Sequence, residues 1–150
     1  MGSSFTAFAG HGFWAGDAGV ALCLFLLGAE AGRLDDAPPW LREAARDRHL
    51  NATLGLIGCV SAGLDEVLTS PERVTVVLDL AEKAVQWLRG QGPVVPPDLL
   101  NSFGLGGPGS RFTRHVEKAS FLDVSEAFLK LLRGELTRTR RARRCIEAGP

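Results

Sequence analysis

Cysteine and histidine are scarce in this sequence, and no apolar run reaches the length of a bilayer span. Its three cysteines, Cys23, Cys59 and Cys145, are odd in number and lie far apart. This pattern does not match the paired framework of a small disulfide-stabilised secreted domain. Free thiols fit a reducing compartment, and we therefore expect a cytoplasmic protein.

The three histidines give no metal-binding pattern. His11, His49 and His115 are widely separated, and none has a second histidine or cysteine at the spacing of a metal site. On a helix, Glu43, Asp47 and His49 would lie close enough to offer ligands, but a solvated helix surface explains them more simply. The sequence predicts no metal site and no cofactor.

Motifs of nucleophilic catalysis and phosphate binding are also missing. There is no G-x-S-x-G elbow. The glycine-rich stretch 104–110 does not follow a predicted strand and lacks the Gly-Lys-Ser/Thr ending, so it indicates a connector rather than a phosphate loop. The sequence names no catalytic residue and favours a protein that is not an enzyme. A small enzyme whose site is assembled from distant residues stays open as an alternative.

The most prominent feature present is the uninterrupted apolar run Ala18–Leu27. It falls short of the ~20 residues that a membrane-spanning helix needs. No lysine or arginine precedes it, so we expect neither a signal peptide nor a membrane span. A helix that is apolar on all sides is then predicted to lie inside a bundle, with Asp17 capping its N-terminus.

The length of 150 residues and the apolar content of 45% are those of one globular domain. Formal charge is unevenly distributed: residues 1–37 carry −3, residues 38–110 carry −2 and residues 111–150 carry +5. Arginine greatly outnumbers lysine, and alanine and glycine are abundant, as in proteins of GC-rich bacterial genomes. A mildly acidic body therefore carries a basic C-terminal end.

Helical periodicity dominates the rest of the chain. The clearest stripe runs from Val74 to Leu88 and is preceded by Thr69-Ser70-Pro71-Glu72, in which Thr69 is the predicted N-cap. Trp87 is expected to be buried on its flank. No stretch alternates convincingly with period two. We therefore expect an all-α fold, a compact single-domain bundle of five or six helices with a Gly/Pro-rich connector at 93–110.

This pattern divides the chain into three parts. Residues 1–16 form an N-terminal aromatic arm, residues 17–134 the helical bundle, and residues 135–150 a basic tail. The bundle is centred on the helices that contain Ala18–Leu27 and Val74–Leu88.

Two groups of residues are candidates for binding. Aromatic side chains outside the core stripes supply large contact areas at protein interfaces, and four of them are the predicted partner-binding residues: Phe13, Trp14, Phe103 and Phe112. A cluster of arginines near the C-terminus is the alternative, as a contact for nucleic acid: Arg138, Arg140, Arg141, Arg143 and Arg144.

By elimination, the leading hypothesis is a non-enzymatic intracellular protein-binding module, for example an inhibitor or an immunity-type protein that covers the active site of a toxin. The alternatives are a nucleic-acid-binding or regulatory protein that uses the basic tail, and the small enzyme with a dispersed site. The sequence identifies neither the protein partner nor an oligomeric state.

Overall fold

The computed structural model describes residues 2–53, 60, 62–105, 109, 111–136 and 140–141. This part of the chain contains six helices: α1 (Asp17–Gly32), α2 (Pro39–Thr53), α3 (Leu64–Val67), α4 (Pro71–Arg89), α5 (Pro97–Ser102) and α6 (Lys118–Leu132). It also contains five strands: β1 (Ser3–Phe8), β2 (His11–Gly16), β3 (Val94–Val95), β4 (Val116–Glu117) and β5 (Arg140–Arg141).

The predicted all-α class is wrong, because the fold is a mixed one with two small sheets beside the helices. Strands β1, β2 and β5 form one sheet in that order, and β3 pairs with β4 in the other. The error lies in the N-terminal arm, which forms the β1–β2 hairpin. Strand β1 alternates with reversed polarity: Ser4 and Thr6 face inward while Phe5 is exposed. A strand with polar residues inside does not show the usual apolar-in pattern.

A tight turn at Ala9-Gly10 sets the register of the hairpin. Both residues have positive φ, 50° and 81°, as the two central positions of a type I′ turn require. The Ala9 amide donates a hydrogen bond of 3.0 Å to Oδ1 of Asp65, which ties the turn to α3. Ala-Gly is a weaker turn signal than Asn-Gly, so the sequence gives little warning of this hairpin.

Helix α1 is the centre of the molecule, as predicted. It packs against α2, α4 and α6 and against both strands of the hairpin. Its N-terminus differs from the prediction, because Gly16 is the N-cap and has no side chain to offer. Asp17 lies in the first turn, and its carboxylate accepts a hydrogen bond from Ser4 Oγ. None of the helices in the described part combines the length and apolar character that a bilayer span requires.

Helix α4 begins one residue later than expected. Ser70, not Thr69, is the N-cap, and its Oγ accepts a hydrogen bond of 3.3 Å from the Arg73 amide. Trp87 on this helix is half-buried rather than buried. At the other end, Nζ of Lys118 donates to the carbonyl oxygens of Arg89 and Gln91, which places a positive charge at the C-terminus of α4.

Two segments beyond α6 also take part in the fold. Leu136, which the sequence assigns to the tail, is only 5% exposed and joins the core. Farther on, Arg140–Arg141 pairs in parallel with β2. The predicted N-terminal arm and part of the predicted tail therefore meet in one sheet, because the hairpin leaves an edge of β2 for the later segment.

The cap at α4 leads to a test by paired substitutions. Ser70→Ala removes the only side-chain acceptor described at this helix start, and we expect it to lower the free energy of unfolding by about 1 kcal/mol. Thr69→Ala is the matched control and leaves stability nearly unchanged. Urea melts of the two variants measure the difference, and the opposite ranking would restore Thr69 as the cap.

Candidate functional site

The outer face of the hairpin carries a pair of exposed aromatic rings. Phe5 and Trp14 are register partners across β1 and β2, and their ring centroids lie 5.2 Å apart. Their side chains are 42% and 45% exposed, which is unusual for residues of this size. The Phe5 ring also leans over Gly12, where an added Cβ would lie 2.6 Å from it. Glycine at that position lets the ring lie flat on the strand. We call Phe5 and Trp14 the aromatic pair.

The inner face of the same hairpin holds a polar junction. Ser4 Oγ donates a hydrogen bond of 2.6 Å to Oδ1 of Asp17 and accepts one of 3.0 Å from the Val60 amide. Ser4 therefore joins the hairpin to the start of α1 and to the segment before α3. Thr6 is also buried, and its Oγ1 makes no hydrogen bond within the described structure.

The four predicted partner-binding residues differ in exposure, and Trp14 is the exposed one among them. Phe13 is fully buried on the inner face, whereas Trp14 is exposed. Phe103 is half-buried, and its ring stacks on Phe25 at a centroid distance of 4.5 Å. Phe112 is half-buried as well and is held by two hydrogen bonds with the side chain of Asn101.

Phe5, the register partner of Trp14, is not among the residues that the sequence predicted for partner binding. The signal that could have found it is the two-residue turn at Ala9-Gly10. Once that turn is recognised, pairing outward from it puts Phe5 directly opposite Trp14.

The arginine cluster reaches the same region of the molecule. The backbone of Arg140 pairs with Phe13, and the backbone of Arg141 pairs with Trp14. Arg138, Arg143 and Arg144 lie outside the described residues. Two residues of the arginine cluster thus pair with the strand that carries Trp14.

The cysteine that the structure describes, Cys23, is not placed to act as a nucleophile. Cys23 is buried in α1, and burial raises the pKa of its thiol to about 12, although a hydrogen bond with Ser125 acts in the opposite direction. A thiol with this pKa holds almost no thiolate near neutral pH and is a poor nucleophile. Cys59 and Cys145 lie outside the described residues.

Metal-binding geometry is likewise not found in the part of the chain that the structure describes. No three side chains of the ligand types His, Cys, Asp and Glu converge there. His49, considered above with Glu43 and Asp47, instead has its ring 5.9 Å from that of Phe25.

Comparison with known proteins adds no relative: no protein-family model, no curated protein and no solved structure matches this chain.

The buried thiol of Cys23 predicts a pH dependence of stability. Its folded pKa of about 12 exceeds the ordinary thiol pKa of 9.0, so above pH 9 the unfolded chain loses this proton first. The stability that the neutral thiol contributes is complete below pH 9 and is lost as pH rises toward 12. Between these values it falls by about 1.4 kcal/mol per pH unit.

Comparison with Cys23→Ala isolates this effect, because the other titrating groups are common to both proteins. We expect the stability difference between wild type and variant in urea melts to shrink steadily from pH 9 to pH 10.5. A difference that stays constant over this interval would show that the thiol is accessible to solvent in the folded state.

Proposed function

We propose that this protein is a non-enzymatic protein-binding module and that its contact surface is centred on the aromatic pair. An inhibitor or an immunity-type protein is one form of such a module. The observation that carries the proposal is the exposure of Phe5 and Trp14, whose rings contact each other at a tilt of 42° on one face of a hairpin that is anchored to the core through its other face.

Two positions of β1 contribute less to folding stability than they could. Burying a phenylalanine side chain contributes roughly 1.5–3 kcal/mol, and this fold forgoes part of that at Phe5, which is 42% exposed. At Thr6 it buries a hydroxyl that has no hydrogen-bond partner, which costs about 1–3 kcal/mol. Ser4 gains two hydrogen bonds on the inner face, but the exposed rings of Phe5 and Trp14 gain no comparable contact in the fold. Contact with another molecule would use the aromatic surface that folding leaves exposed.

The type of partner follows from the chemistry of this surface. Large aromatic side chains dominate binding when they enter apolar pockets on the opposite protein. The segment Arg140–Arg141 runs beside β2, and residues 111–150 carry a formal charge of +5. A protein surface with an apolar pocket bordered by carboxylates matches both features, because complementary charge favours encounter and register.

Site-directed crosslinking tests the proposal. A photoreactive phenylalanine analogue at Trp14 or at Phe5 is expected to capture one and the same partner in the native cell. Val94 is the matched control position, since it is also exposed, at 41%, but lies in β3 of the other sheet. Equal capture from Val94 would show that the adduct is not specific to the hairpin.

Substitutions on the two faces of the hairpin should then have different effects on the affinity for the captured partner and on the stability of the fold. Trp14→Ala should weaken its binding by about 30-fold or more, the effect of losing a hot-spot residue. The same variant should lose only about 1 kcal/mol of unfolding free energy, the scale of one ring pair. Phe13→Ala, on the inner face, should instead cost about 3–5 kcal/mol of stability. Unchanged affinity in Trp14→Ala would overturn the proposed interface.

One observation favours single-stranded nucleic acid as a second candidate ligand. Exposed aromatic rings on a sheet, next to basic residues, are the elements of a stacking platform for unpaired bases. The sequence alone separates the arginines from any aromatic residue, but the pairing of Arg141 with Trp14 brings their backbones together.

This second candidate predicts that an oligothymidine binds with an affinity that falls steeply with salt concentration. Binding should weaken both in Trp14→Ala and in the double variant Arg140→Gln, Arg141→Gln, measured by fluorescence anisotropy of a labelled strand. Binding that depends on the arginines but not on Trp14 would mean simple charge attraction to the basic segment, and stacking would then be excluded.

A further inference from the structure

Away from the hairpin, helices α1 to α4 surround a cavity of about 50 Å³. Its walls are almost entirely apolar and include Leu24 and Ala31 of α1, Leu41 of α2, and Val77 and Leu80 of α4. Arg48 of α2 is the one charged residue among those that line it. An apolar space with a single cation at its wall is the usual composition of a site for a small amphiphilic anion.

Among the described residues, no counter-charge lies within ion-pair distance of the Arg48 guanidinium. Its Nε is buried and makes no hydrogen bond. Three of the positions one turn away on α2 are alanines, Ala44, Ala45 and Ala52, and the side chain of the fourth, Asn51, lies outside the described part. A buried N–H of a cation that lacks an acceptor is costly, and an anion bound beside the guanidinium would reduce that cost.

Gly63 fixes where this guanidinium lies. A Cβ at Gly63 would be 2.7 Å from both Nη atoms of Arg48, so the guanidinium packs directly against this glycine. The backbone of Gly63 has φ +51°, which glycine also adopts without strain. The arginine is therefore held against the start of α3 rather than extended into solvent.

Gly28 lines both the cavity and an outer depression of about 300 Å³ beside Phe25 and His49. A Cβ at Gly28 would be in ordinary contact with the Ala45 carbonyl oxygen, at 3.8 Å. Ala45 also lines both spaces. The cavity and the outer depression are therefore neighbours that share Gly28 and Ala45 in their walls.

We propose that this cavity binds a small monocarboxylate with a short aliphatic tail. The carboxylate accepts hydrogen bonds from Arg48, which suits the planar guanidinium, and the tail fills the apolar space. The volume limits the tail, because the cavity is smaller than the ~150 Å³ that holds a benzene ring. A tail of several carbons would extend toward the neighbouring outer depression, which shares Gly28 and Ala45 with the cavity wall. This site is independent of the proposed interface on the hairpin.

Titration of the full chain with butyrate and hexanoate, followed by calorimetry and by thermal melts, tests the site. Hexanoate is expected to bind and to raise Tm in a concentration-dependent way, and Arg48→Met should weaken its affinity by about tenfold or more. Arg42→Met is the matched control, since Arg42 is an exposed arginine of the same helix that lines neither the cavity nor the outer depression, and it should leave the affinity nearly unchanged.

The stability of the ligand-free variants separates a binding role of Arg48 from a structural one. If Arg48 serves ligand binding, the ligand-free variant Arg48→Met should be at least as stable as wild type, because the substitution removes the unpaired buried N–H. A clear loss of Tm in ligand-free Arg48→Met would instead make the arginine structural and overturn the proposal. Ala44→Leu, which fills the cavity while keeping Arg48, is the second variant and should also abolish hexanoate binding.

Two further probes decide the chemical class. Hexanol, which has the tail without the charge, should bind far more weakly than hexanoate, and inorganic phosphate, which has charge without a tail, should not raise Tm. Equal binding of hexanol would mean an unselective apolar cavity, and an equal effect of phosphate would mean simple anion attraction. Either result, or no binding of hexanoate at all, would overturn the proposed site.

Discussion

The structure depends on one constraint, the burial of a helix that is apolar on nearly every side. An amphipathic helix needs a partner on one face, but α1 has to be covered all round. Helices α2, α4 and α6 cover its flanks, and the β1–β2 hairpin covers its N-terminal part. The polar junction then secures this end, since Ser4 binds the Asp17 carboxylate and the Asp17 amide donates to the carbonyl oxygen of Gly2.

The same constraint explains why the hairpin presents aromatic residues to solvent. Its inner face meets a helix start, where backbone amides and a carboxylate need polar partners, and serine satisfies them better than phenylalanine does. Phe13 and Ala15 of β2 provide the apolar part of that contact. Phe5 and Trp14 then lie on the opposite side, where they cover each other only in part. Because the inner face of the hairpin is anchored partly by polar groups, Phe5 and Trp14 on its outer face are available for a partner.

The features that cost this protein folding stability lie at two places, which have no residue in common. One is the hairpin, with exposed rings outside and an unpaired Thr6 hydroxyl inside. The other is the cavity, with a buried unpaired Nε of Arg48 and a glycine in the middle of α1. Elsewhere local signals agree with the fold, as at the Ser70 cap and at the lysine that closes α4. Sequences tend to break local rules where function requires it, so these two places carry the functional proposals.

The amino-acid sequence by itself determined helices α1 and α4, because apolar runs and stripes of helical period are local patterns. It predicted the burial of α1 and placed α4 to within one residue. The hairpin needed the tertiary structure, since its polar inner residues make sense only against the Asp17 carboxylate and the Val60 amide. The candidate sites were decided in the same way: Trp14 was predicted, but Phe5 and the isolation of Arg48 follow from pairing and packing between segments far apart in the chain.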